Sequence, residues 1–256
     1  MIRIKTKKEI EILKEGGKIL AEVLYEVMNH AAPGIFSSEL EELANKRIKS
    51  FGAEPSFKNY QGSKDDIPFP SSLCCSINEA VVHGPCFPGQ ELKTGDVVGF
   101  DLGIKFKDLY TDMARTIGIG KIEKRARKLI DTTKICLELA QKQVKAGNSI
   151  SDISAAVQNF AEKKGFGIVK NLVGHGVGYA VHEEPRIPNY VDLTQPKIEL
   201  KEGIVLAIEP MLTMGKADLT VGKDGWTQIT RDKSLTAHFE NTVVVTATGF
   251  EVITKI

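Results

Sequence analysis

Four carboxylates sit in segments whose residue pattern reads as strand. Asp101 lies in Asp96–Ile104, Asp112 in Leu109–Ile117, Glu209 just past Ile204–Ile208, and Glu240 at the head of Phe239–Thr246. Successive side chains of an extended chain point to opposite faces, so Val98, Phe100, Leu102 and Ile104 share an apolar face and Gly99, Asp101 and Gly103 the other. A carboxylate flanked by glycines is expected to have space around it. A turn centred on Phe106–Lys107 would set Asp101 directly opposite Asp112, with Cβ atoms roughly 4.5–5.5 Å apart. Two charges so placed repel, and a shared cation removes the penalty. Glu209 repeats the pattern, with Val205 and Ala207 on its face and Pro210 ending regular pairing after it. Glu240 shares a face with Thr242 and Val244. The two aspartates alone read equally well as solvated carboxylates in a different register, and one Glu beside a strand is ordinarily solvated. Four carboxylates at strand ends or centres, two of them related by an internal repeat, are harder to dismiss.

Three histidines stand in suitable company. His175 lies in a glycine-rich loop, Gly174–Gly178, where close approach and unusual backbone angles are tolerated. His182 precedes Glu183, Glu184 and Pro185, and His83 sits in a turn bounded by Gly84 and Pro85. His30 and His238 lack such a setting and read as ordinary core or surface residues. The glycine loop does not have the spacings of a phosphate cradle, which argues against nucleotide binding.

These side chains need a scaffold, and the chain supplies one in two rounds. Thr6 and Glu9 form a capping box ahead of a helix with apolar residues at Ile10, Leu13, Leu20, Leu24 and Val27. A second helix is predicted over Ser37–Ser50, stopping at Gly52. Residues 53–88 read as irregular, rich in Pro, Gly and Ser. Two further helices are predicted at about 123–145 and 151–164, the latter closed by Gly165, with short strands at Trp226–Thr230 and Glu251–Thr254. Gly34–Leu40 aligns with Gly147–Ile153 at an offset of 113, and Leu92–Asp101 with Leu200–Glu209 at an offset of 108. Two related helix-then-strand halves are expected, each strand ending on a carboxylate.

Composition removes several classes. The 256 residues carry 34 Lys and Arg against 33 Asp and Glu, so no net field recruits nucleic acid or an anionic membrane. The longest unbroken apolar run, Ile204–Ile208, is far below the ~18 residues that span a bilayer. Charged residues from Arg3 to Glu11 leave no room for a signal peptide. Cys74, Cys75, Cys86 and Cys136 show no C-x-x-C spacing and are expected as reduced thiols of a cytoplasmic protein.

The motifs Ser76-Ile-Asn-Glu-Ala-Val-Val-His-Gly84, Gly95-Asp-Val-Val-Gly-Phe-Asp-Leu-Gly103, Thr111-Asp-Met-Ala-Arg115, Gly174-His-Gly-Val-Gly178, His182-Glu-Glu-Pro185, Ile208-Glu-Pro210 and Phe239-Glu-Asn-Thr-Val243 follow one another in order. With them the chain resembles the type I methionine aminopeptidases of the short bacterial form, nearly end to end. The resemblance implies the pita-bread (creatinase/aminopeptidase) fold, an α/β (α+β) architecture. Two pseudo-symmetric αβ halves, about residues 1–120 and 121–256, then surround a curved antiparallel sheet in one catalytic domain over 1–256.

It also implies five metal ligands, Asp101, Asp112, His175, Glu209 and Glu240, around two divalent ions. Such a set suits manganese, cobalt or iron at least as well as zinc. Asp112 and Glu240 would bridge the ions, Asp101 would chelate one, and His175 with Glu209 would complete the other. In this family a hydroxide on the metals attacks the scissile carbonyl. By similarity Glu209 shuttles its proton, while His83 and His182 contact the substrate. The matching pocket positions are Tyr60, Phe69, Cys74, His83 and Trp226, a lining suited to a thioether.

The implied activity is removal of the N-terminal Met from nascent proteins with a small second residue, by a cytoplasmic monomer working at the ribosome. The chain departs from the family pattern in three places. Ser63–Pro68 intervenes in a nearly continuous stretch, Gln61 replaces a usual His, and Val181 stands where an aromatic is common. All three are expected near the pocket mouth. Proline-specific peptidases of the same fold usually carry an additional N-terminal domain, and a binding protein would have lost ligands; neither pattern matches this chain.

Overall fold

A computed structural model describes residues 2–62 and 67–255. Helix α1 (Lys7–His30) starts at the expected capping box. Glu9 N donates to Thr6 Oγ1 at 3.3 Å, and the Glu9 carboxylate accepts from Thr6 N at 2.7 Å. Helix α2 (Ser37–Ser50) has the predicted bounds. The stretch 53–88, expected to be irregular, contains three short strands, β1 (Glu54–Pro55), β2 (Leu73–Ile77) and β3 (Ala80–Val82). All five residues of β2 are buried, so it offers no polar–apolar alternation to read. It pairs with β4 (Val97–Phe106) from Leu73↔Leu102 to Ile77↔Val98. The hairpin to β5 (Leu109–Gly118) turns through Lys107 and Asp108, both at positive φ (47° and 65°).

The second round begins with α3 (Lys124–Gln141), shorter than expected because residues 142–144 tighten into turns, with Gln143 N on Ala140 O and Val144 N on Gln141 O. Helix α4 (Ile150–Lys164) ends on Gly165 at φ +77°. Strands β6 (Gly167–Ile168), β7 (Gly174–Gly176), β8 (Glu183–Ile187), β9 (Val205–Ile208) and β10 (Met211–Thr213) come next. They are followed by β11 (Leu219–Val221), β12 (Gln228–Thr230), β13 (Thr236–His238), β14 (Glu240–Val245) and β15 (Phe250–Val252).

The main antiparallel sheet has the order β1-β4-β5-β14-β9-β7-β8, with β2 also on β4 and β15 also on β14. Its apolar face is covered by two helix pairs. Leu20, Leu24, Leu40 and Ile48 of α1 and α2 pack on Phe100, Leu102 and Ile104. Leu129, Leu137, Ile153 and Val157 of α3 and α4 pack on Leu206, Ile208 and Val243. The faint sequence repeat has a hydrogen-bonded counterpart. Gly34 N donates to Leu92 O and Leu92 N to Ile35 O; in the second half Gly147 N donates to Leu200 O and Leu200 N to Asn148 O.

The region Gly174–Gly178, expected as a loop, is strand through Gly176. Its glycines serve close packing between strands. A Cβ on Gly174 would stand 2.6 Å from Ala207 O, and one on Gly176 2.2 Å from Glu184 O. Gly178 has positive φ (136°).

Candidate active site

The face of the sheet away from the helices gathers the expected residues on two adjacent rungs. Cross-strand partners share a face, so one rung carries Cys74, Asp101, Ala114 and Glu240 across β2, β4, β5 and β14. The next carries Gly103 and Asp112, then Thr242, Ala207 and His175 across β14, β9 and β7. Asp112 and Thr242 join the two sets, Asp112 N donating to Thr242 Oγ1 and that hydroxyl to Asp112 O, each at 2.9 Å. Glu209 stands where the chain leaves the main sheet. Pro210 breaks the pairing, and β10 enters a second sheet between β13 and β6. Phe239 marks the matching break on the other strand. Asn241↔Ile208 before the break and His238↔Met211 after it keep one register, so Glu209 faces Glu240 across it.

Two local expectations are corrected. The hairpin loop is Lys107–Asp108, not Phe106–Lys107, so Asp101 pairs with Ala114 and Asp112 with Gly103. The two aspartates are diagonal neighbours on one face, not direct partners. Nor does glycine leave open space beside Asp101. A Cβ on Gly103 would meet Ser56 Oγ at 2.2 Å and Phe57 Cε1 at 2.6 Å, so its absence lets the Ser56–Phe57 segment close over the strand.

The cluster is deeply buried and crowded with negative charge. Burial and the neighbouring carboxylates push Asp112 and Glu240 well above the usual carboxylate range. Burial raises Asp101 to about 6 and Glu209 to about 8. The imidazoles go the other way, His175 to about 3 and His83 to about 4, again through burial first. Each is a neutral ring at physiological pH. His175 Nδ1 lies 2.9 Å from Gly176 O, and a carbonyl only accepts, so Nδ1 carries the proton. That leaves the Nε2 lone pair facing Glu209 Oε1 at 3.6 Å and Glu240 Oε1 at 4.0 Å. A histidine oriented in this way is a ready metal ligand.

Reading the sequence missed a histidine at the cluster, besides the pocket-wall residues Phe57 and Val82. His238 is buried beside the cluster, its Nε2 3.3 Å from Glu209 Oε2 and 3.9 Å from Glu240 Oε2. The trace it leaves in the sequence is a two-residue spacing from Glu240. His30 does match its reading: it is exposed at the end of α1, with Nδ1 on Glu26 O.

The donor set fits divalent cations on two observations. Asp101 Oδ1, Glu240 Oε1 and His238 Nε2 are buried without a hydrogen-bond partner. Asp112, His175 and Glu240 each offer a ligand atom within 4.8 Å of the others, and so do Glu209, His238 and Glu240. Asp101 belongs to neither of these groups, although its rung carries Glu240. A cation here would replace the protons that crowding favours on these acids.

Next to the rungs lies a pocket of about 560 Å³ including its mouth. Phe57, Tyr60, Phe69, Cys74, Val82, His83, His182 and Trp226 line it together with Asp101, Asp112, His175, Glu209 and Glu240. Every residue expected at the site is therefore brought to one cavity. Trp226 stands edge-on to Phe69 at 5.2 Å and to His83 at 6.5 Å. The His182 ring is edge-on to His175 at 4.5 Å, and its Nδ1 is 2.8 Å from Tyr60 Oη. Burial keeps the Cys74 thiol protonated, a neutral wall. Of the three departures, Val181 is buried in the pocket cluster with Phe57, Phe69 and Cys74, whereas Gln61 is exposed. Residues 63–66 of the Ser63–Pro68 stretch lie outside the described residues; Ile67 and Pro68 are exposed.

No helix among the described residues is long and apolar enough to cross a membrane. The profile of metallopeptidase family M24 matches residues 11–247. The chain is 42% identical to the methionine aminopeptidase of Clostridium perfringens over 258 residues, covering 100% of both. It is 40% identical to methionine aminopeptidase 1 of Bacillus subtilis, again over 100% of both chains. Among solved structures, Thermotoga maritima methionine aminopeptidase matches with a TM-score of 0.95 at 39% identity over 100% of each chain. The prolidase of Pyrococcus horikoshii shares the fold alone, with a TM-score of 0.78 at 22% identity, and the chain covers 63% of it. The curved antiparallel sheet is thus the pita-bread fold, and the chain belongs to metallopeptidase family M24, among its methionine aminopeptidases.

Proposed function

We propose that the chain is one catalytic unit that hydrolyses the peptide bond after an N-terminal methionine when the second residue is small. The observation that carries this reading is the juxtaposition of an acid-rich ligand cluster with an aromatic-lined pocket in one cavity. Asp101, Asp112, His175, Glu209 and Glu240 would hold two divalent cations, of manganese, cobalt or iron. When bound, such ions supply Lewis acidity, polarising the scissile carbonyl and making water acidic near neutral pH.

The protein's own groups do the rest. Tyr60, Phe69, Cys74, His83 and Trp226 take up the unbranched thioether side chain. Glu209, which faces Glu240 where the chain leaves the main sheet and lines the cavity, is the carboxylate suited to accept and pass on a proton. His182 commits Nδ1 to Tyr60, which leaves Nε2 for the substrate. His83 lies at positive φ (59°) on the pocket wall, and the two imidazoles stabilise the developing oxyanion. The second residue must sit between the Asp101 strand and Gly174–Gly178, where long side chains would displace the carbonyl. We read the enzyme as a cytoplasmic monomer acting on nascent chains at the ribosome.

A panel of Met-X tripeptides tests the specificity. Met-Ala-Ser and Met-Gly-Ser should be cleaved, and Met-Lys-Ser and Met-Arg-Ser should not, since a displacement near 1 Å costs about 10²-fold in rate. A formylated Met-Ala-Ser should resist cleavage, because the free amine binds beside the cations. Equal rates on Met-Lys-Ser and Met-Ala-Ser, or preference for Xaa-Pro peptides, would overturn the assignment.

A further inference from the structure

The turn that carries His182 is fastened by the N-terminus of the chain. Between β7 and β8, residues 177–182 lie outside the strands. Val177 N on Val205 O and Tyr110 N on Gly178 O tie down the start of this turn, and the Glu183 carboxylate closes the remainder, next to His182. Glu183 Oε1 accepts from the backbone N–H groups of Tyr179 and Ala180. Its other oxygen, Oε2, meets Lys5 Nζ at 2.8 Å, an ion pair whose side chains are 2% and 4% exposed and which lie 178 residues apart in sequence. Arg3 reaches Oε1 from the surface at 3.0 Å. The Arg3 guanidinium and the Lys5 ammonium both lie over the Tyr179 ring, at 4.4 and 4.8 Å.

The seat for this segment is built from glycine backbone. A Cβ on Gly178 would strike Lys5 Cε at 2.4 Å, and one on Gly203 would strike Ile4 Cγ2 at 2.7 Å. Lys5 N also donates to Gly203 O at 2.9 Å. A buried ion pair offers little net stability compared with an apolar pair of similar size, so stability alone is a poor reason for it. Its geometric consequence is direct. The residue before Glu183 is His182, whose ring lines the catalytic cavity.

We propose that Lys5 is a positioning residue for His182, acting through the Glu183 carboxylate that closes the Tyr179–Glu183 turn. Tyr60 fixes the ring and Lys5 fixes the backbone that bears it. The proposal rests on the reading of His182 as a substrate contact. Losing the Lys5 charge leaves Glu183 Oε2 without its buried partner, and the carboxylate is then held through Oε1 alone, by two backbone N–H groups and by Arg3 at the surface. The turn then loosens, and the imidazole leaves its place while the methionine pocket stays intact.

The test is a double-mutant cycle on the metal-loaded enzyme with Met-Ala-Ser. Lys5→Met should lower kcat by about 10- to 10²-fold with KM nearly unchanged, because a misplacement near 1 Å is enough for such a loss. Bound metal and inhibition by free methionine should stay at wild-type values. In a His182→Ala background the same change should alter kcat by less than about twofold, since two residues acting in series are not additive. In the cation-free protein the His182 ring resonance, identified by its absence from His182→Ala, should broaden in Lys5→Met. Should Lys5→Met fold poorly, the neutral pair Lys5→Met with Glu183→Gln carries the same comparison. An unchanged kcat, or a loss that multiplies with that of His182→Ala, would overturn the link to His182. An unimpaired His182→Ala would instead overturn the reading of His182, and the proposal with it.

Discussion

His175 and His182 each commit one ring nitrogen to a fixed partner, Gly176 O and Tyr60 Oη, and present the other to the cavity. The two rings nevertheless do different work in our reading, one on a cation and the other on the substrate. His83→Ala and His182→Ala should each lower kcat/KM by on the order of 10²–10³-fold while metal content stays near wild type. Metal analysis of the purified variants alongside kinetics checks this, and loss of metal from either would mean that the roles are misassigned. The pattern of glycines and prolines around His83, His175 and His182 made these residues legible in the sequence. His238 was not, because Ala237 and Phe239 on either side look like ordinary core, which they are. Its two-residue spacing from Glu240 puts the ring on the carboxylate face, beside Glu209.

At the level of elements, the sequence showed helices better than strands. Capping chemistry and 3.6-residue periodicity gave α1, α2 and α4 nearly to the residue, since both signals are local. Strand signals failed where both faces are buried, as in β2, and where glycine replaces the usual β-branched residues, as in β7. The Asp101–Asp112 register slipped because nothing in Lys107 announces a residue at positive φ. The glycines of β7 are needed for space, and this can be measured. Gly176→Ala places a methyl against Glu184 O and should destabilise the fold by about 1–3 kcal/mol, the usual cost of overpacking. Gly249→Ala, which meets nothing within 4 Å, should stay within about 0.5 kcal/mol of wild type. Thermal or denaturant melts of the two variants compare them directly; equal melting would contradict the close-packing account of β7.

For the whole molecule, the cation cluster links stability to pH. In the cation-free protein the folded state holds protons on Asp112, Glu240 and Glu209, the last at about 8, that the unfolded chain releases near pH 4. Stability from raised carboxylates is present at low pH and lost as pH climbs through their folded values. The buried histidines act oppositely: at about 3 and 4 for His175 and His83, against 6.5 unfolded, they favour the folded state as pH rises, but only up to about pH 6.5. Between pH 6.5 and 8 the histidine contribution levels off and the raised carboxylates dominate, so the cation-free Tm should fall with rising pH. Saturating manganese should raise Tm and remove that fall, because cations favour the ionised acids. A cation-free Tm that climbs between pH 6.5 and 8 would contradict this electrostatic picture.

The central claim is that this cluster works as a pair of cation sites serving methionine removal, and one titration tests it most directly. Protein stripped by chelator, with its residual metal verified, is titrated with manganese while methionine release from Met-Ala-Ser is followed. The account predicts no release at the start, recovery on adding manganese, and two ions bound per chain at saturation. Full turnover by the verified metal-free protein would contradict it.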